Sequence, residues 1–118
     1  MADFTMYVGD SFVLSVSVVD EAGEPVDITG TTVRWQMAHK VKDILPLVSK
    51  TTEGAGGILI SDGPGGVFEV TIDPEDTEGF KAKSYYHEAE VDDAGVVSTV
   101  MTGTGTLLPT LIRPPPEA

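Results

Sequence analysis

Over residues 11–19 large apolar side chains fall on every second position, with Phe12, Leu14, Val16 and Val18 alternating against Ser11, Ser15 and Ser17. Successive side chains of an extended strand point to opposite faces, so this register gathers four oily groups on one side and predicts a half-buried strand. Val13 and Val19 interrupt the polar side, which predicts that a neighbour covers part of it. The two-residue period returns over residues 32–38, where Val33, Trp35 and Met37 oppose Thr32, Arg34 and Gln36. It returns again over 84–91, setting Tyr85, His87, Ala89 and Val91 against Tyr86, Glu88 and Glu90. Trp35, the only tryptophan, sits mid-strand and is expected to anchor a core between two sheets. Shorter runs at 4–8, 46–50, 58–60, 67–72, 96–101 and 103–108 extend the pattern, and Pro46 assigns its run to a sheet edge because proline cannot donate to a central ladder.

Turn chemistry separates these runs about every ten residues. Asp20-Glu21-Ala22-Gly23 and Asp92-Asp93-Ala94-Gly95 are hairpin-type turns, and Ser61-Asp62-Gly63-Pro64-Gly65-Gly66 is a longer glycine-rich loop joining 58–60 to 67–72. Residues 25–30 form an extended crossing segment, and 39–44 a loop or strand edge. One helix start is visible: Asp73 can cap, Pro74 suits the first helical position, and Glu75 and Asp76 favour the positive end of the helix dipole. Gly79 stops it after about one turn. The rhythm therefore predicts an all-β chain, a small antiparallel sandwich or barrel of about seven to eight strands with one short helical turn. The folded unit is expected over residues 1–108. Residues 109–118 read as a proline-rich tail or docking arm, because Pro114-Pro115-Pro116 holds an extended polyproline conformation.

Composition narrows the partners. Seven basic residues against nineteen acidic ones give a formal charge of −12 and an isoelectric point near 4.2, a surface that repels phosphate backbones and argues against a nucleic-acid partner. Lys40, Lys42, Lys50, Lys81 and Lys83 form no basic stripe and read as solvated groups or contacts to acidic neighbours. Cysteine is absent, which removes disulfides and thiolate metal sites. The start lacks a basic segment followed by an apolar run, and nothing approaches the roughly 18 apolar residues of a membrane span. The expectation is a soluble protein made in a cytoplasm, with no membrane partner.

Candidate chemistry is sparse. His39 and His87 stand far apart, neither with a serine, cysteine or paired acid at a catalytic spacing, so no enzyme is expected, and His87 reads as a partly buried, hydrogen-bonded strand residue. The clusters Asp20, Glu21, Glu24 and Asp73, Glu75, Asp76, Glu78 lack the spaced ligands of a calcium loop. Gly54-Ala55-Gly56-Gly57 and Gly63-Pro64-Gly65-Gly66 lack the helix and the Lys-Ser/Thr pair of a phosphate loop. No cofactor and no metal are expected.

The order of motifs resembles that of a known family. Gly9-Asp10-Ser11-Phe12, then Asp20-Glu21-Ala22-Gly23-Glu24-Pro25-Val26-Asp27-Ile28-Thr29-Gly30 leading into Thr32-Val33-Arg34-Trp35, open the match. Gly66-Val67-Phe68-Glu69-Val70 before Asp73-Pro74-Glu75-Asp76-Thr77, and Tyr85-Tyr86-His87-Glu88 before Asp92-Asp93-Ala94-Gly95, continue it. Over about residues 5–108 the chain is similar to the immunoglobulin-like domains of tailed-phage virion proteins, above all the N-terminal domain of baseplate upper proteins and short head or tail components. The resemblance implies an immunoglobulin-like sandwich that assembles with other virion proteins and copies of itself, made in the host cytoplasm and located in the virion. It carries no catalytic residue. Arg113, Pro114, Pro115 and Pro116 are the candidate assembly contact, acting as an arm on a neighbour. The alternative is a glycan- or protein-binding module of a bacterial surface adhesin.

Overall fold

The computed structural model describes residues 3–40 and 45–112. They form β1 (Phe4–Tyr7), β2 (Phe12–Ser17), β3 (Thr32–Ala38), β4 (Val48–Thr51), β5 (Ile58–Asp62), β6 (Val67–Ile72), α1 (Pro74–Thr77), β7 (Ser84–Asp93) and β8 (Val96–Leu108). One sheet has the order β1-β8-β7-β3-β4 and the other β2-β6-β5. The alternation foreseen along the chain decides which face each strand buries. Leu14 and Val16 of β2 and Phe68, Val70 and Ile72 of β6 meet Val33, Trp35 and Met37 of β3 and Tyr85 and Ala89 of β7 in one continuous core. The fold is all-β and sandwich-like, two sheets sharing that core, with Trp35 wholly buried at its centre.

The strands are not all antiparallel, contrary to expectation. β1 runs parallel to β8, from Phe4 opposite Gly105 to Tyr7 opposite Leu108. Phe4 and Met6 turn inward, and the Phe4 ring lies where a side chain on Gly105 would stand, so the missing side chain at 105 lets the first strand dock. β1 is also shorter than the expected run, since Val8 leaves the strand while its N–H still donates to the Leu108 carbonyl. The runs at 96–101 and 103–108 are one strand of 13 residues. Its register slips where Ala89 faces Met101 but Glu90 faces Thr99, leaving Val100 as the extra residue of a bulge.

Val13 on β2 and Val19 just beyond it are more than half exposed, so the outer side of the 11–19 run is not covered there. His87 is fully rather than partly buried. The helical turn forms as read: Pro74 occupies its first position, the Asp76 carboxylate accepts the Asp73 N–H at 2.7 Å, and the Glu78 N–H reaches the Pro74 carbonyl at 3.1 Å. Of the loop expected over 39–44, residues 41–44 lie outside the described residues.

Candidate functional site

The most distinctive surface lies at the end of the molecule that carries the β7–β8 turn. There the chain between β2 and β3 passes alongside the hairpin, and the two leave an apolar groove of about 170 Å³. Val18, Val26 and Ile28 line it from one side, and Val91, Val96 and Val100 from the other. Asp27 and Asp93 stand among the same lining residues. Val96 is 69% exposed and its neighbour Val97 52%, so the hairpin end presents oily surface to water.

Local hydrogen bonding explains why the crossing segment holds this shape. The Asp20 carboxylate accepts the N–H groups of Ala22 at 2.9 Å and Glu24 at 3.0 Å, which closes the first turn. Beyond it the Val26 N–H donates back to the Val18 carbonyl at 3.0 Å, and the Val18 N–H donates to the Gly66 carbonyl at 2.7 Å. The Ile28 N–H donates to the Gly63 carbonyl at 2.9 Å, which ties the segment to the β5–β6 loop. The side chain and then the backbone N–H of Thr29 hold the Asp27 carboxyl below its ordinary range, so it stays charged beside the groove. Asp20, Glu21 and Glu24 continue the acidic character through the adjacent turn.

The titratable groups singled out in the sequence serve structure elsewhere. The Trp35 indole N–H donates to His87 Nδ1 at 2.9 Å inside the core, and the Phe4 ring meets the imidazole edge-on at 4.9 Å. Asp73 and Asp76 converge on the Lys50 ammonium, at 3.8 and 2.6 Å, and so join α1 to β4. Arg34 binds Glu90 at 2.8 Å and Asp92 at 3.3 Å across β3 and β7, and these partners push its pKa further up. The Tyr86 hydroxyl donates to Glu88 at 2.7 Å. Partial burial first, and then that carboxylate, push its pKa up to about 12. A broad, open basin lies between His39, Lys40, Ser84, Tyr86 and Thr104.

Arg113, Pro114, Pro115 and Pro116, the contact expected from the sequence, lie outside the described residues. The two residues before them, Leu111 and Ile112, are 100% and 87% exposed. The groove itself was missed because it joins segments around residues 18–28 and 91–100, which no local pattern links. Its one sequence signal was the Val96-Val97 pair directly after a polar turn. No family model matches the chain, and no curated protein matches it significantly.

Proposed function

We propose that the chain is a non-enzymatic structural component of a tailed-bacteriophage virion: an immunoglobulin-like domain that works by protein–protein assembly with other virion proteins and with copies of itself. The observation that carries this reading is the strand order. Immunoglobulin-type sandwiches pair their second, fifth and fourth main strands in one sheet and their third, sixth and seventh in the other. The order β2-β6-β5 against β8-β7-β3, with β4 added beyond β3, agrees with that scheme for these strands once β4 is taken as the extra one, while β1 departs from it by pairing with β8 where the scheme sets the first strand beside the second.

Two side chains strengthen it. Near the start of β7 the Tyr85 hydroxyl donates to the Lys81 carbonyl at 2.7 Å, the arrangement of the tyrosine corner of such domains. Two residues on, antibody domains carry a disulfide cysteine packed against a tryptophan on the third strand. This chain has His87 there, bonded to Trp35 of β3. A hydrogen bond in place of a disulfide suits assembly inside a reducing host cytoplasm. Together with a motif order that resembles that of phage virion domains, this favours a virion location, and the apolar groove and exposed hairpin valines offer a contact surface.

The second reading, a glycan- or protein-binding module of a bacterial surface adhesin, draws on the open basin beside Tyr86 and His39, where aromatic rings and polar groups meet. Sedimentation separates the two. The protein should travel with intact particles at a fixed copy number and be released only when particles are dismantled. Binding to cells or glycans as a lone monomer, with none retained in particles, would sink the virion reading.

A further inference from the structure

Resting on the assembly reading, we infer that the apolar groove at the hairpin end receives the Leu111-Ile112 segment of a second copy, so that molecules join head to tail. The segment has the right chemistry. Leu111 and Ile112 are almost fully exposed, an arrangement that leaves two branched aliphatic groups in water with nothing among the described residues to bury them. The groove is apolar, and at about 170 Å³ it is comparable to cavities of about 150 Å³ that accept a benzene-sized molecule. The next residue in the sequence, Arg113, is a cation, and the groove counts the carboxylates of Asp27 and Asp93 among its lining, so the charges of occupant and site are complementary.

Geometry makes the occupant a second copy rather than the same one. The segment leaves the sheet after Leu108, while the groove adjoins Val96 at the opposite end of β8, twelve residues back. At about 3.3 Å per residue those ends are roughly 40 Å apart, and even Val100, the lining residue of β8 nearest to Leu108, stands about 26 Å from it. Four residues from Leu108 to Ile112 span at most about 14 Å, so the segment cannot fold back into its own groove. Unlike patches then meet, and a contact between unlike patches propagates into a ring or a filament. A single site of this size binds weakly, but many such contacts in a symmetric particle act together.

The test uses the full chain with a photoreactive p-benzoylphenylalanine replacing Thr110, which leaves Leu111 and Ile112 intact. Isotopically heavy and light protein are mixed at millimolar concentration, irradiated and mapped by mass spectrometry. Heavy-light links from position 110 to residues around Val26, Asp27 and Val96 are expected. Val96→Asp, at an exposed position that the fold tolerates, should reduce them by about tenfold or more. At about 0.15 M salt, where the net repulsion between copies is screened, Asp27→Lys should also weaken them, and adding Arg113→Glu should restore them. A lack of linked product, links elsewhere on the surface, or a yield indifferent to Val96→Asp overturns the arm-in-groove contact. Particle co-sedimentation of the same preparation keeps the two questions apart, because it can persist when this contact fails.

Discussion

The Trp35–His87 hydrogen bond decides how this core tolerates change. Both residues are completely buried, so the indole N–H and the imidazole Nδ1 are each the other's replacement for water. Trp35→Phe keeps most of the apolar volume but strands an acceptor, and should cost about 1–3 kcal/mol in urea denaturation. His87→Phe strands the donor and should cost a similar amount. Because removing both polar groups avoids that penalty, the double variant should be less destabilised than the two single variants added together, and strict additivity would refute the coupling. Tyr86 couples stability to alkaline pH. Its folded pKa of about 12 lies above the ordinary phenol value near 10. The stabilisation it contributes is therefore complete below about pH 10 and is lost as pH rises from there toward 12. Phenolate absorbance should show two of the three tyrosines ionising late, Tyr85 because burial pushes its pKa up and Tyr86 at about 12, and Glu88→Gln should move only the Tyr86 step down without fully normalising it, since desolvation remains the larger cause.

Among the elements, the turns carry the sharpest local demands. Asp93 pairs with Val96, so Ala94-Gly95 is a two-residue hairpin loop, and both residues have positive φ, at 52° and 95°. Asn-Gly is the pair this geometry prefers. Ala94→Asn should therefore raise thermal stability by roughly 0.5–1 kcal/mol, because a left-handed alanine costs about 1–2 kcal/mol. Gly66 is the opposite case. Its φ is 74°, and an added Cβ would stand 2.6 Å from the Val26 carbonyl oxygen and 2.7 Å from that of Val18. Gly66→Ala should cost more than about 2 kcal/mol and disturb the crossing segment, read as broadened amide resonances around Val18 and Val26. These elements also mark the limit of what the residues announced. The alternation of β2, β3 and β7, the hairpin at 58–72 and the cap at Asp73 were legible because each is a local pattern of side-chain period or turn chemistry. The parallel β1–β8 pair was not, since its partners are about a hundred residues apart and Phe4 gives no sign that it will lie over Gly105. The Val100 bulge escaped for a related reason: a register slip is a relation between two strands. The groove combines both difficulties, being lined by residues that only the packed sheets bring together.

At the scale of the whole molecule, the charge of −12 opposes any contact between copies, and its size decides how assembly responds to salt. Two such bodies with centres about 42 Å apart, the length of the long axis, repel by roughly 14 kcal/mol in pure water. Ions at about 0.1 M shorten the screening length to about 10 Å and remove nearly all of that repulsion. The opposing term is local: one Arg113 meeting Asp27 or Asp93 at an exposed mouth is worth about 0–1 kcal/mol and is screened in turn. The long-range repulsion is much the larger quantity, and the burial of Leu111 and Ile112 does not depend on ionic attraction. Raising the salt from a few millimolar to about 0.15 M should therefore strengthen self-association, measured as the rise in weight-average sedimentation coefficient at constant protein concentration. Val96→Asp should flatten that rise, because screening then has no apolar contact to release. A fall in association over the same interval would mean that charge pairing holds the copies together and that the oily groove is not the joint.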